Sequence, residues 1–153
     1  MVTDISNINW VCKSFNELTA LEVYNILFQR NQIFVVEQNC VYQDCDYKDP
    51  DCYHMMGWDG DLLAAYTRLL PPGKSFNNMS IGRVLTAKDY RNKNLGRELM
   101  NRSIAQLNQL FGLQPITIGA QLYLKRFYES LGFKQAGEIY LEDGIKHIEM
   151  LRL

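Results

Sequence analysis

Apolar positions along this chain switch between two spacings, and the switches divide it into short strands and a few amphipathic helices. Trp10-Val-Cys-Lys13 reads as a first short strand. Ala20, Val23, Tyr24, Leu27 and Phe28 then fall at i, i+3, i+4, i+7 and i+8. That spacing predicts one apolar face of a helix that begins near Asn16 or Thr19, both good N-caps, and runs into Ile33-Phe-Val-Val36. Residues 37 to 53 are polar, acidic and rich in Asp and Tyr, the pattern of an ordered surface loop. His54–Trp58 and Leu62–Leu70 flank Asp59-Gly60-Asp61, a hairpin signal, and Pro71-Pro72-Gly73 ends the second arm.

The second half begins with a strand at Ser80–Thr86. A helix follows, carrying Met100, Ile104, Leu107 and Phe111 and closed by Gly112. Ile116-Thr-Ile118 is a short strand. Leu124, Phe127, Tyr128 and Leu131 mark a second amphipathic helix ended by Gly132. Glu138–Leu141 and Lys146–Arg152 pair across Glu142-Asp-Gly-Ile in a last hairpin. Strands first, then strand, helix, strand, helix and strands, specify a mixed α/β sheet with helices on both faces.

Composition narrows the class. The 153 residues suit one domain, 1–153, with a continuous core. No apolar run approaches the roughly 20 residues of a membrane span. Met1-Val-Thr-Asp-Ile-Ser has no basic segment followed by an apolar stretch, so no leader is expected and the location is expected to be cytoplasmic. A net charge of -1 argues against a nucleic-acid partner. Cys40, Cys45 and Cys52 with His54 invite a metal reading, but their spacings do not form the paired knuckles of a zinc site. Asp44, Asp46, Asp49 and Asp51 lack the glycine and terminal glutamate of a calcium loop. No metal is expected.

The most informative stretch is Arg83-Val-Leu-Thr-Ala-Lys-Asp-Tyr-Arg-Asn-Lys-Asn-Leu-Gly-Arg97. A strand leads through a short loop into a helix opening at about Leu95. Such a helix start leaves N–H groups unpaired and favours an anion. Lys88, Arg91, Lys93 and Arg97 add cations, Asn92 and Asn94 tolerate left-handed backbone, and Gly96 admits a ligand close to the main chain. The same residues also suit a basic surface loop capping an ordinary helix.

Arg91-x-x-Asn94-x-Gly96 resembles the Arg/Gln-x-x-Gly-x-Gly/Ala pyrophosphate loop of the GNAT superfamily of N-acetyltransferases. Gln121-x-x-Leu-x-x-Phe127-Tyr128-x-x-Leu131-Gly132-Phe133 is similar to that superfamily's Asn-x-x-Ala-x-x-Phe-Tyr-x-x-x-Gly-Phe signature. Phe34-Val-Val-Glu-Gln38 with Tyr42 and Asp46, and Glu142-Asp-Gly-Ile-Lys-His147-Ile, resemble its ElaA-type branch. The resemblance covers about residues 8 to 152. Asn94 stands where the superfamily usually has glycine, and Gln121 keeps the amide of the usual Asn on a longer arm.

The resemblance implies a mostly antiparallel sheet of about seven strands, helices on both faces, and a splay between two central strands. It implies acetyl-CoA as cosubstrate and a primary amine as acceptor. Val84, Leu85 and Thr86 would bind the pantetheine arm. Arg91, Asn92, Lys93, Asn94, Leu95, Gly96 and Arg97 would hold the pyrophosphate, and Gln121 would approach the arm. Tyr128 would be the general acid, although it also sits on the apolar helix stripe, where a core residue would stand. Glu37, His54, Glu142 and His147 stay open as the base. Asp44, Asp46, Asp49 and Asp51 would border the acceptor side and draw in a cationic amine. A non-catalytic acyl-CoA sensor or partner-binding protein of the same fold is the alternative. The acceptor stays open among small amines, polyamines, amino sugars, peptide N-termini and lysine side chains, and the oligomeric state stays open with it.

Overall fold

A computed structural model describes residues 4–153; Met1 to Thr3, on which the expectation of no leader partly rests, lie outside the described residues. The chain begins with strand β1 (Asn9–Ser14) and helix α1 (Ala20–Arg30). Thr19 caps α1 in a reciprocal box: the Glu22 N–H donates to Thr19 Oγ1 at 3.1 Å, and the Thr19 N–H donates to Glu22 Oε1 at 2.8 Å. The helix does not stop at Arg30 but widens into a π-helical turn over Asn31–Glu37. Strands β2 (Tyr53–Asp59) and β3 (Leu62–Leu70) form the expected hairpin. They are followed by β4 (Ser80–Thr86), α2 (Leu95–Phe111), β5 (Ile116–Gln121), α3 (Lys125–Glu129), β6 (Lys134–Glu142) and β7 (Ile145–Arg152).

Among the described residues the seven strands form two hydrogen-bonded groups rather than one continuous sheet. The first runs β1-β2-β3-β4 and the second β5-β7-β6, with every strand pairing antiparallel. Side chains on β3 divide between the two faces, and a register slip against Gly57 and Trp58 at Ala64 sets Ala64 and Ala65 on the same side. Leu63 and Tyr66 pack with Ile26 and Ile33 beneath α1 and its π-helical turn. Ala64 and Ala65 pack with Leu95 and Leu99 of α2 on the opposite face, and Leu69 with Met100 and Ile104. The α2 side continues into the second group, where Tyr128 and Leu131 meet Ile118, Ala120, Ile148 and Met150. Among the described residues no helix is long and apolar enough to cross a membrane.

The inward face of α1 differs from the predicted one. Tyr24 and Phe28, expected inside, are 70% and 56% exposed, whereas Ile26, Gln29 and Arg30 are buried. Arg30 is the cause: its guanidinium is drawn beneath the sheet to meet two aspartates of the following loop, and this sets the rotation of the helix. Gln29 follows it inward and donates to the Leu63 carbonyl at 3.1 Å.

Candidate active site

Among the described residues β4 and β5 are bridged only where they begin. Met79 and Ile116 form a single parallel bridge, and the Thr117 N–H donates to the Met79 carbonyl at 3.0 Å. Beyond that bridge, among the described residues, no ladder bond joins the two strands, and an open cleft of 1430 Å³ lies between them. β3 satisfies one edge of β4. The other edge presents its backbone donors and acceptors to the cleft, as a strand does when it can accept an extended partner.

A bulge re-aims β4 halfway along this edge. The register to β3 slips between Tyr66 and Arg68, and Arg83 takes a positive φ of 52°, uncommon for a residue with a side chain. Asp44 holds it there, with Asp46 Oδ2 further off at 3.5 Å. Arg83 Nε donates to Asp44 Oδ1 at 2.8 Å, and Nη2 donates to the Asp44 carbonyl at 2.9 Å. Past the bulge, Val84, Leu85 and Thr86 line the cleft; the Leu85 side chain is buried beneath α1, so its backbone is what it offers there.

The loop after β4 opens α2 as the sequence predicts. Asn92 and Asn94 both adopt left-handed backbone, φ 64° and 61°, and Asn94 is the N-cap. The Asn94 side chain makes no capping hydrogen bond, and Leu95, Gly96 and Arg97 of the first turn line the cleft with their N–H groups at the dipole's positive end. A Cβ on Gly96 would meet only Phe127 Cζ, at 3.8 Å, so the protein's own packing does not require glycine there. Arg91 lines the cleft with Nε on the Thr86 carbonyl at 3.1 Å and Nη2 on Glu37 at 2.8 Å. Arg97 lies over the Phe127 ring at 5.6 Å and donates to Ser130 Oγ at 2.9 Å. Lys93, between the two left-handed asparagines, is carried outside the lining. Gln121, at the end of β5, does line it and sits 3.4 Å from Gln38 Oε1.

Tyr128 belongs to the core and also reaches the cleft. Its ring is buried edge-on against Phe127 and Phe133, at centroid distances of 5.2 and 6.1 Å, and the residue also lines the cleft. Burial pushes the phenol pKa well up, with a smaller push from Tyr123, so the hydroxyl stays protonated throughout the neutral range.

Of the four base candidates, His54 is removed. It is 1% exposed, away from the cleft, with Nδ1 2.7 Å from the Tyr66 hydroxyl and Nε2 3.0 Å from the Asp49 carbonyl. Burial also lowers its pKa, against a smaller upward pull from Asp49. Glu37 is tied to Arg91. Glu142 and His147 face each other in the cleft, Oε2 to Nε2, at 3.4 Å.

The acidic loop does not serve as expected. Asp44 and Asp49 pair with Arg30, Asp46 and Asp49 with Arg68, and Asp44 and Asp46 with Arg83. Three arginines against three aspartates leave the cluster formally neutral, and Asp51 is held by Lys74. These carboxylates build the wall behind the bulge rather than a field for a cation. A sequence signal existed for two of the arginines: Arg68 and Arg83 each interrupt an apolar strand, and an aspartate-rich loop is their natural complement. Tyr140 and Glu149, which also line the cleft, carried no such signal. The cysteines are dispersed: Cys45 is exposed, Cys52 is buried and donates to the Lys48 carbonyl, and Cys40 donates to the Asp143 carbonyl.

Comparison with known proteins follows the same lines. Residues 30–152 match the acetyltransferase (GNAT) domain family. Protein ElaA of Escherichia coli (strain K12) is 39% identical over 147 residues, spanning 95% of this chain and 96% of that protein. The crystal structure of an acyl-CoA N-acyltransferase from Pseudomonas aeruginosa superimposes with a TM-score of 0.92 at 39% identity, covering 96% of this chain and 100% of that one. The crystal structure of Escherichia coli ElaA gives 0.90 at 38%, covering 95% and 99%.

Proposed function

The chain belongs to the GNAT acetyltransferase family, and from that premise we propose that it is an N-acetyltransferase that moves the acetyl group of acetyl-CoA to a primary amine, with residues 1–153 as its single acetyltransferase domain. The observation that carries this reading is the free edge of β4 running into an uncapped helix N-terminus, all within one cleft. A pantetheine arm needs a row of backbone partners, and a pyrophosphate needs a ring of N–H groups with nearby cations. The protein has both, in the right order along the chain.

Val84, Leu85 and Thr86 would hold the arm by their main chain, with the Gln121 amide across from them. Leu95, Gly96 and Arg97 would receive the pyrophosphate, with Asn92 and Asn94 shaping the turn and Arg91 supplying charge at its entry. Lys93 would contribute only to the positive field outside the cleft. Acetyl-CoA supplies the thioester carbonyl. The acceptor's nitrogen lone pair forms the new C–N bond there as the C–S bond breaks. Tyr128 donates its phenolic proton to the departing sulfur, and a base takes the proton that the amine gives up. The products are an N-acetylated amine and the free thiol.

Thiol release across a broad panel of primary amines tests this directly. We expect thiol and acetylated amine to appear in equal amounts, and only when an amine is present. Binding of acetyl-CoA with no turnover on any amine would instead assign the chain as an acyl-CoA sensor.

A further inference from the structure

The β7 wall of the cleft carries titratable groups beyond those that bind or protonate the cosubstrate. On β7, Ile148 and Met150 point into the core beside Tyr128. Alternation therefore turns His147 and Glu149 to the other face, where both line the cleft. His147 pairs across the sheet with Gln121 on one side and Tyr140 on the other, and the Tyr140 ring stacks on the imidazole at 5.7 Å and 28°. Tyr140 also reaches β5: a methyl on Gly119 would come within 2.6 Å of its hydroxyl. Both rings are thereby fixed at the lip of the splay.

The His147 side chain is nine-tenths buried, at 10% exposure, and its two nitrogens differ. Nδ1 lies 2.8 Å from the Ile145 carbonyl, which can only accept, so Nδ1 carries the proton of the neutral ring. Nε2 is then a bare lone pair facing Glu142 Oε2 at 3.4 Å, and a carboxylate also only accepts. Two acceptors meeting in a cleft are matched by one donor with several N–H bonds. Among the described residues no lysine or arginine pairs with Glu142 or Glu149, in contrast to the aspartates behind the bulge.

We propose that Glu142 and His147 form the acceptor-capture site of the cleft, which takes a cationic primary amine and deprotonates it. The substrate enters as an ammonium, the state an alkylamine holds at neutral pH. One N–H bonds to Glu142 Oε2 and another to His147 Nε2. His147 then takes that second proton, which leaves a neutral amine whose lone pair attacks, and Glu142 steadies the imidazolium that results. Glu149, two residues along the same face, adds a further negative charge on the path of entry. This inference rests on the acyl-transfer reading of the cleft.

A nitrogen-15 histidine NMR titration tests it without requiring turnover, using n-butylammonium chloride as probe and n-butanol as its uncharged match. The expected spectrum has a protonated Nδ1 and a bare Nε2 on His147. The ammonium should move the Nε2 resonance to saturation, the alcohol should not, and Glu142→Gln should weaken the ammonium by about tenfold. Glu142 is exposed, so that variant keeps the fold. In turnover, His147→Gln should lower kcat/KM for the best amine by about 100-fold while acetyl-CoA still stabilises the protein. A proton on Nε2 with Nδ1 bare, equal responses to ammonium and alcohol, or a Glu142→Gln titration like the wild type would overturn the proposal. Lack of stabilisation of the wild type by acetyl-CoA would strike the acyl-transfer reading instead, so the two failures are separable.

Discussion

Replacing Arg30 with alanine is expected to lower stability by about 3–5 kcal/mol, a fall in Tm on the order of 10 °C for a domain of this length. Arg30 is wholly buried and holds two carboxylates at 2.8 Å, Asp44 through Nε and Asp49 through Nη1. Its removal leaves negative charge beneath the sheet with too few donors. The loss should depend on pH in a definite direction. Burial pushes Asp49 up, but the hydrogen bonds and charge of Arg30, with those of Arg68, outweigh it and hold the carboxyl below the usual carboxylate range. A depressed native value stabilises fully above the unfolded value of about 3.9 and is lost as pH falls through the native one. The gap in Tm between wild type and Arg30→Ala should therefore be constant above pH 5 and narrow in acid. Equal Tm values at pH 7 would contradict a structural role for the network. Because the same cluster anchors Arg83 at the bulge, the variant should also bind acetyl-CoA more weakly.

Tyr128→Phe is expected to lower kcat by about 10- to 1000-fold while leaving acetyl-CoA binding and Tm near wild type. Phenylalanine preserves the two edge-on ring contacts with Phe127 and Phe133, so only the hydroxyl is lost. A thiolate that leaves without a proton must carry its charge beside the aromatic cluster of Phe127, Tyr128 and Phe133, and the barrier rises accordingly. The defect should ease with an aryl thioester donor, whose leaving group needs no protonation. Unchanged kcat would return Tyr128 to the core and move the proton donor elsewhere.

The parts of the fold legible in the sequence are those written by local chemistry. β4, the opening of α2 at Leu95 and the last hairpin stand where spacing and turn residues put them; Asn94 and Asp143-Gly144 take the left-handed backbone their residue types favour. The splay followed from the resemblance, and no local pattern carries it. What periodicity missed are long-range charges. The stripe Val23, Tyr24, Leu27 and Phe28 predicted one inward face for α1, but a buried guanidinium one turn further on rotated the helix. The aspartates of residues 44–49 read as a solvent-facing field until their arginines, 14 to 39 positions distant in sequence, were placed beside them. His54 and His147 look alike in sequence, each on a strand among apolar neighbours. Only the fold separates a histidine satisfied on both nitrogens from one with a nitrogen open to the cleft.

The central claim is that the first turn of α2 and the free edge of β4 bind acetyl-CoA, and thermal stability with and without that ligand tests it most directly. At about 100 times its dissociation constant, acetyl-CoA should stabilise the wild type by about 2.7 kcal/mol, raising Tm by roughly 5–10 °C. Gly96→Val should melt close to the wild type when free, since a Cβ there meets Phe127 Cζ at an ordinary 3.8 Å, yet it should show no rise with acetyl-CoA because its branched carbons fill the space before the helix N–H groups. A wild-type Tm that does not respond to acetyl-CoA, or a Gly96→Val protein stabilised as much as the wild type, would contradict the account.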